Sequence, residues 1–253
     1  MTAAAYFDAV LELLKTLSVT QRDAIEEAGR LCAEAVKSGG LIHIFGTGHS
    51  HILAEEMYAR AGGLTPVNAI LASDLMLHEG GLRSSDLERL SGMAAAILEH
   101  EPVRAGDVMI VASNSGRNAA PVEMAELARE RGLKVVAITS LQHAKASTSR
   151  APDGKRLFEV ADVVIDNGGL PGDAILPMPG GPPGARMAAT STVIGAAIVQ
   201  AITAETVARL AAEGIEPPVL ISANVDGSRD YNQRQLRRLG SHAPSLLSRE
   251  LSE

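Results

Sequence analysis

Residues 43–60 read HIFGTGHSHILAEEMYAR and pass through three patterns in quick succession. An apolar run at 41–45 ends in a turn with two glycines, Gly46 and Gly48, and a helical pattern begins near Ser50. A strand, a glycine turn and a helix in that order predict a βα unit. The backbone N–H groups of such a turn, together with the positive end of the helix dipole, favour an anion such as phosphate.

Strand and helix patterns alternate along the rest of the chain. The strand candidates are short apolar runs at 41–45, 66–71, 108–113, 134–139 and 162–166. The helix candidates are longer stretches at 50–61, 86–99, 119–131 and 187–212. Strands separated by helices predict right-handed crossovers and a mostly parallel sheet covered by helices.

The chain reads as one domain. Helical patterns form an N-terminal extension at 1–38, the predicted sheet core spans 39–212, and a C-terminal extension follows at 213–253. A run of PPVLIS at 217–222 fits a strand or a loop equally well. Residues 187–204 carry no charge, but their polar side chains and short length favour a helix buried against the sheet over a membrane span.

Two stretches interrupt the alternation of strand and helix patterns. The segment at 143–155 is a polar loop, and glycine and proline dominate the segment at 167–186. The many prolines in the second segment exclude a helix or a central strand there, because proline has no backbone N–H to donate in either structure. A long loop in a compact domain fits a binding loop or lid, and it fits a plain surface connection as well.

The composition narrows the function. Hydrophobic residues make up 46% of the 253 residues, which suits a large core, while aromatic residues make up 2% and tryptophan is absent. Few aromatic rings and a net charge of −7 argue against nucleic-acid binding, which uses stacking rings and basic patches. Cys32 is the single cysteine, which excludes an internal disulfide and a cysteine-ligated metal. The first ten residues lack the basic region with which a signal peptide begins. These features predict a cytoplasmic protein with no nucleic-acid or membrane partner.

The loop after the third predicted strand is a second candidate anion site. It reads SNSGRN at 113–118, and a helical pattern with proline in its first turn follows it. Its short polar side chains and its glycine are Ser113, Asn114, Ser115, Gly116 and Asn118. Neither glycine loop matches the dinucleotide fingerprint, which would need glycine in place of His51, or the P-loop, which needs Gly-Lys-Ser/Thr.

GTGHS and SNSGRN, at this separation, resemble the SIS (sugar isomerase) domain, whose members include phosphoheptose isomerase and N-acetylmuramic acid 6-phosphate etherase. The resemblance covers roughly residues 30–210. With LHEGG at 77–81 and the Gly/Pro-rich segment, the chain is similar to a bacterial group of sugar-isomerase-like proteins. The resemblance implies a flavodoxin-like three-layer α-β-α sandwich with a five-stranded parallel sheet and an N-terminal helical extension. It also implies homodimers or homotetramers with sites at subunit interfaces.

Carried over position by position, the resemblance implies a phosphate and sugar site at the two loops and at the start of the last helix. Its residues are Thr47, Gly48, Ser50, Ser113, Asn114, Ser115, Gly116, Asn118, Thr190 and Ser191. Ser113 and Ser115 match the family's phosphate-binding hydroxyls, and Asn118 stands where threonine is common. Thr190 and Ser191 resemble the small hydroxyl residues that open the last SIS helix, although packing against the sheet explains them nearly as well.

The chain departs from the family at the catalytic glutamate. In phosphoheptose isomerase and the etherase this residue follows the first-loop serine by ten positions, where this chain has Arg60. Arginine cannot act as a general base because its guanidinium stays protonated. Glu56 is a substitute candidate for the base, but it also fits an i,i+4 ion pair with Arg60 on the helix surface.

His78, Glu79 and His49 complete the predicted acid–base set. Moving a proton between C1 and C2 of a sugar takes a base and an acid or shuttle, which Glu79 and His78 would supply. The alternative for this pair is a loop histidine beside a helix-capping glutamate. His49 lies in the first glycine loop, where it would help to bind the anion or to open the sugar ring.

No cofactor and no metal site are predicted. Histidines and glutamates at 49, 51, 55, 56 and 78 would suffice as zinc ligands, but no metal-binding spacing supports them, so zinc is a minor alternative. The predicted function is aldose–ketose isomerisation of a phosphorylated sugar. A non-catalytic sugar-phosphate sensor and a sugar-phosphate lyase of the etherase type are the alternatives.

Overall fold

The computed structural model describes residues 3–240 and 242–244. Its helices, in chain order, are α1 (Ala3–Thr20), α2 (Arg22–Lys37), α3 (Ile52–Met57), α4 (Gly81–Leu87), α5 (Met93–Leu98), α6 (Ala119–Glu130), α7 (Leu141–Lys145), α8 (Leu157–Val160), α9 (Ser191–Ala212) and α10 (Ser228–Arg237). Its strands are β1 (Ile42–Gly46), β2 (Val67–Ile70), β3 (Val108–Ala112), β4 (Lys134–Thr139), β5 (Val163–Asp166), β6 (Ala174–Pro177) and β7 (Arg186–Ala189). Short 3₁₀ turns occur at Gly48–His51, Ser73–Leu75 and Leu77–Glu79.

Five strands form one parallel sheet in the order β2-β1-β3-β4-β5. Ile44 of the central strand β1 pairs with Ala69 on one side and with Ile110 on the other. The predicted five-stranded parallel sheet is confirmed. Each strand candidate became a strand within a residue or two of its predicted bounds, because these runs are apolar enough to be buried on both faces.

Helices cover both faces of the sheet. Successive residues of β1 point to opposite faces, so Ile44 packs with α2, α3 and α9 while Phe45 packs with α5, α6 and α8. The result is the three-layer α-β-α sandwich that the sequence predicted, with α1 and α2 as its N-terminal helices. Helix α1 reaches the hairpin described below, where the Tyr6 hydroxyl donates a hydrogen bond to the Ala189 carbonyl at 2.8 Å.

Three helix predictions need correction. The single helix predicted at 86–99 is wrong: α4 and α5 are separate, because Gly92 between them has a φ of +88°, which ends a right-handed helix. The helix predicted at 50–61 is shorter, since a 3₁₀ turn precedes α3 and the backbone turns extended at Tyr58. The helix predicted from 187 begins at Ser191, because the preceding residues form β7.

The Gly/Pro-rich segment contains an antiparallel hairpin outside the main sheet. Strands β6 and β7 pair with Ala174 opposite Ala189, and proline and glycine residues fill the turn between them. The polar loop predicted at 143–155 overlaps the end of α7, which runs to Lys145. The undecided segment at 217–222 is a loop that makes one antiparallel bridge, between Leu64 and Val219. Residues 1–2, 241 and 245–253 of the predicted extensions lie outside the described residues.

Helix α9 is long and apolar enough, by length and composition alone, to cross a membrane. In this structure one side of the helix packs against α2 and α3. Leu53 of α3 fills the space over Gly195, where an added Cβ would lie 2.6 Å from a Leu53 methyl carbon. Glu205 packs equally closely over Gly29 of α2. The helix of a soluble core passes the same hydropathy test as a membrane helix, so these packing contacts account for the apolar face of α9.

Candidate functional site

The carboxyl ends of β1 and β3 border a small cleft that is open to solvent. Three segments form most of its wall: the loop after β1, the loop after β3 and the first turn of α9. Its lining residues are His49, Ser50, Leu53, Ala112, Ser113, Asn114, Ile138, Asn167, Ser191 and Thr192. The strand order changes direction between β1 and β3, which is where open α/β sheets bind ligands.

The first loop folds back on itself directly after Gly46. A Cβ on Gly46 would lie 2.5 Å from the carbonyl carbon and oxygen of Ser50, so the close approach of the two backbone segments requires glycine. Gly48 has a φ of +55°, which is also a glycine conformation. The turn brings His49 and Ser50 to the cleft and leaves Thr47 buried behind them.

The second loop is held by hydrogen bonds to itself and to its neighbours. The Gly116 N–H donates to Ser113 Oγ at 3.2 Å, and Gly116 has a φ of +55°. Asn114 Oδ1 accepts a hydrogen bond from Asn167 Nδ2 at 2.9 Å, and the Asn114 carbonyl accepts one from the Ser140 N–H at 3.0 Å. The loop is therefore fixed to the carboxyl ends of β4 and β5 before any ligand binds.

Glu88 joins the two loops. Its carboxylate accepts hydrogen bonds from Thr47 Oγ1 at 2.6 Å and from Asn118 Nδ2 at 2.7 Å, and both partners are 6% exposed. Burial raises the pKa of the Glu88 carboxyl above its ordinary value, although the Thr47 hydrogen bond acts in the opposite direction. Thr47 and Asn118 thus set the spacing of the loops, and their contact with a sugar phosphate stays a prediction.

Asp173 caps the helix that closes the cleft. Its carboxylate accepts hydrogen bonds from the Thr190 N–H at 3.2 Å, the Ser191 N–H at 2.9 Å and Ser191 Oγ at 2.5 Å. A negative charge at this position satisfies the unpaired N–H groups at the start of α9 and interacts favourably with the helix dipole. Ser191 lines the cleft with its hydroxyl donated to Asp173, while Thr190 is buried.

Glu56 belongs to α3, and its side chain points toward α9, outside the lining of the cleft. Its carboxylate accepts a hydrogen bond from Arg60 Nη1 and another from Gln200 Nε2 at 2.9 Å. The i,i+4 ion pair that the sequence offered as an alternative is therefore present in the structure. A catalytic role for Glu56 stays a prediction, and it would require the carboxylate to release these partners.

His78 and Glu79 lie in the turn after β2 and do not line the cleft. Their side chains are 59% and 40% exposed, and Glu79 pairs with Arg83 at 3.4 Å. Leu77 in the same turn borders the first loop, since a Cβ on Gly48 would lie 3.9 Å from a Leu77 methyl carbon. The two predicted acid–base residues are thus beside the loop and face outward.

Within residues 3–240 and 242–244, no group of three or more His, Cys, Asp and Glu side chains gathers as a metal site would. Of the five residues considered as zinc ligands, His51 and Glu55 are paired, with 3.2 Å between Nε2 and Oε1. His51 Nδ1 faces the Gly48 carbonyl within the 3₁₀ turn, while its contact with Glu55 reaches α3.

Three site residues escaped the sequence analysis: Asn167, Asp173 and Glu88. Asn167 directly follows β5, so the rule that polar residues after parallel strands form the site would have found it. Asp173 belongs to the Gly/Pro-rich segment that was considered only as a lid or connection. Glu88 fell within a predicted helix, and no local pattern signals its contacts with loops that are distant in sequence.

Comparison with known proteins places this arrangement in a family. The SIS domain family model matches residues 5–140. The chain therefore belongs to the SIS domain family, which confirms the resemblance of the two loop motifs.

Within that family its relatives include UPF0309 proteins. Protein GK1441 of Geobacillus kaustophilus is 43% identical over 242 residues, which is 96% of each chain. Protein lin2794 of Listeria innocua is 44% identical over 241 residues, which is 95% of this chain and 97% of that protein.

Two solved structures share the fold. A phosphoheptose isomerase from Francisella tularensis aligns with a TM-score of 0.53 at 14% identity, covering 81% of this chain and 97% of that one. A phosphoheptose isomerase from Neisseria gonorrhoeae aligns with a TM-score of 0.51 at 18% identity, covering 80% and 94%. At these identities the likeness concerns the fold alone.

Proposed function

We propose that this protein binds a phosphorylated sugar in the cleft and interconverts its aldose and ketose forms. The observation that carries the proposal is the meeting of two glycine-containing loops, after β1 and β3, at the switch point of an SIS sheet. Both loops present small hydroxyl side chains and tightly turned backbone, which suits a phosphate. Two solved structures of this fold are phosphoheptose isomerases, so sugar-phosphate isomerisation is a reaction that this fold accommodates.

The phosphate would lie between Ser50 and the loop that leads into α6. Ser113 already lines the cleft, half-buried Ser115 stands two residues along, and the N-terminus of the twelve-residue helix α6 adds positive potential. Asp173 holds a carboxylate at the start of α9, and like charges repel. The phosphate is therefore favoured at the α6 side of the cleft, with the sugar carbons toward Ser191.

Isomerisation needs the ring to open and a proton to move between C1 and C2. His49 is exposed within the cleft wall and is our candidate for protonating the ring oxygen. Glu56, His78 and Glu79 are the candidates for the proton transfer. All three lie outside the cleft of a single chain, so we propose a homodimer or homotetramer in which a second copy completes the site.

Binding is tested with a thermal-shift panel of pentose, hexose, heptose and amino-sugar phosphates on the wild type and on the Ser113→Ala/Ser115→Ala double variant. A ligand present at a hundred times its dissociation constant should stabilise the protein by about 2.7 kcal/mol. We expect one sugar class to raise the melting temperature of the wild type and not that of the double variant. No shift with any sugar phosphate would contradict the proposal.

The reaction is tested by incubating the protein with the binding sugar phosphate in D₂O. An isomerase exchanges the C2 hydrogen for deuterium, which proton NMR detects even when the net conversion is small. Exchange should disappear in Glu56→Gln or in Glu79→Gln, whichever residue is the base. Binding without exchange would favour the sensor alternative, and loss of a substituent from the sugar would favour the lyase. We further propose that the protein acts in the cytoplasm and without a cofactor.

A further inference from the structure

A cavity of about 200 Å³ lies at the opposite end of the sheet from the cleft and opens to solvent. The turns that lead into the first two strands border it, with Gly40 just before β1 and Pro66 directly before β2. These are the amino ends of the parallel strands, whereas the cleft lies at their carboxyl ends. The cavity is therefore a separate site and not an extension of the cleft.

The charged part of the cavity wall has one sign. In the described part of the chain, three residues with ionisable side chains line the cavity, and all three are basic: Lys37, Arg238 and His242. Their side chains are 37%, 40% and 12% exposed, so a ligand can reach each of them. Aliphatic side chains, among them Ile215 and Leu239, form another part of the wall. The lining thus combines basic groups with an apolar surface.

Hydrogen bonds hold the segment after α10 over the amino ends of the strands. His242 Nε2 lies 3.2 Å from Oδ2 of Asp107, the residue directly before β3. The same buried oxygen lies 3.0 Å from His43 Nε2 in β1. Arg238 Nη2 donates a hydrogen bond to the Glu216 carbonyl at 2.9 Å. The basic wall is therefore positioned by the fold before any ligand binds.

Lys37 and Arg238 have donors left for a ligand. An ammonium group has three donors, and the one on Lys37 directs two of them to Glu34 at 3.0 Å and Glu213 at 2.9 Å. Both glutamates are about half exposed, and surface ion pairs of this kind contribute little to stability. The Arg238 guanidinium has five donors, and it bonds to a carbonyl and to Gln235 Oε1. Neither cation is used up by its protein partners.

We propose that this cavity binds a short aliphatic carboxylate. Lys37 and Arg238 bind its carboxylate group, because a guanidinium fork matches the geometry of two carboxylate oxygens. Its alkyl chain packs against Ile215 and Leu239 and is removed from water there. The volume would hold about six or seven water molecules at about 30 Å³ each, which limits the ligand to a small molecule.

A single negative charge fits this site better than the double charge of a phosphate. The cations of the wall already have carboxylates beside them, on Glu34, Glu213 and Glu216. These carboxylates repel an incoming anion, and the repulsion grows with the charge of that anion. The cavity and the cleft are thus expected to bind different classes of ligand, and this inference goes beyond the proposed function.

The test uses three probes with the same alkyl chain and different head groups: hexanoate, hexanamide and hexylammonium. Each is titrated into the ¹⁵N-labelled full chain at pH 7 and one ionic strength, and amide chemical shifts report the dissociation constant and the location. We expect hexanoate to bind at least about tenfold more tightly than hexanamide, because hydrogen bonds between charged groups are the stronger ones. Hexylammonium should bind most weakly. The shifts should centre on Gly39, Gly40 and Ile215 and leave 113–118 unchanged.

Variants assign the preference for hexanoate to the basic wall. Arg238→Gln and Lys37→Gln should each lower the ratio of the two affinities by at least about threefold. Arg237→Gln is the matched control, because it removes the same charge from an exposed neighbour on α10 that does not line the cavity. It should leave the ratio unchanged, and so should Ser113→Ala/Ser115→Ala in the cleft. The ratio compares two ligands on one preparation, so partial unfolding of a variant does not affect it.

Several results would overturn the proposal. Equal affinity for hexanoate and hexanamide would show that the alkyl chain alone accounts for binding. A preference for hexanoate that survives in both Arg238→Gln and Lys37→Gln would show that the basic wall does not bind the carboxylate. Shifts confined to 113–118 would place hexanoate in the cleft, and no shift with any probe would exclude the site. The probes carry no phosphate, so these results are independent of the sugar-phosphate panel that tests the proposed function.

Discussion

Replacing Glu88 by alanine should loosen both loops of the cleft at once. The substitution removes the acceptors of two hydrogen bonds, at 2.6 Å from Thr47 and at 2.7 Å from Asn118, and both donors stay buried. A buried donor left without an acceptor costs about 1–3 kcal/mol, so the two together cost about 2–6 kcal/mol. Removing a partly buried carboxylate returns some desolvation energy. We expect the free energy of unfolding to fall by about 2–4 kcal/mol.

Glu88→Gln is the matched control. The glutamine carbonyl can accept from Asn118, and its amide can donate to Thr47 Oγ1 once that hydroxyl rotates, so both contacts survive. We expect a loss below about 1 kcal/mol, because neither buried donor is left without an acceptor. Urea unfolding at pH 7 measures both variants, with an unchanged slope as the sign that stability alone has changed. Sugar-phosphate affinity should follow the same order, with the alanine variant weakest.

The pH dependence gives an independent check. Because burial raises the pKa of Glu88, the folded chain holds this proton more tightly than the unfolded chain does. The resulting stability is fully present below the unfolded pKa of about 4.3 and is lost as the pH rises through the raised folded pKa. The free energy of unfolding of the wild type, minus that of Glu88→Gln, should therefore fall across this interval. A difference that does not change with pH, or a glutamine variant as unstable as the alanine variant, would refute the reasoning.

The remaining predictions concern the two ends of the cleft and the core. Gly46→Ala places a Cβ 2.5 Å from the Ser50 carbonyl, so the free energy of unfolding in urea should fall by about 1–3 kcal/mol and the ligand-induced thermal shift should disappear. A variant that binds normally would show that the loop can relax. Asp173→Ala removes the cap of α9 and should cost about 1 kcal/mol, whereas Asp173→Asn should cost a few tenths; equal losses would argue against capping. Burial raises the pKa of Cys32 to about 12, so a thiol reagent at pH 8 should label this residue only after denaturation. Rapid labelling of the native protein would contradict the buried position of the thiol.

The strands could be predicted because their signal is local. A strand buried on both faces is a short, continuous apolar run, and β1 and β3 are such runs whatever they pack against. The helix errors arose where an apolar pattern continues through a change in backbone conformation. Met187 and the alanines beside it continue the apolar pattern of α9, yet this segment pairs with β6. The pairing could not be predicted, because the residue opposite Met187 lies more than ten positions away in the sequence. Local periodicity does not report such pairing.

The site was predicted in part for the same reason. The positions after parallel strands are fixed by topology, so Ser50, Ser113 and Asn114 could be assigned to one cleft, which they line. The contacts that hold the loops depend on packing between distant segments. Glu88 and Asp173 carry no motif, and each acquires its role only from the residues that the fold places beside it.

The position of Asp173 gives the proposed ligand a direction. Helix α9 begins at the cleft, which Ser191 lines, and helix α6 begins five residues after Asn114, another lining residue; either N-terminus would attract a phosphate. Asp173 supplies a carboxylate to α9, and that carboxylate takes the N–H groups of Thr190 and Ser191 together with the Ser191 hydroxyl. Since a phosphate brought to α9 would meet this negative charge, the α6 side is left as the favourable place for it. In the proposed complex, the carbon end of the sugar would then lie toward Ser191 at the start of α9. A symmetric cleft with two open helix starts would bind the same ligand in two orientations, and only one of them could place C1 and C2 correctly for proton transfer.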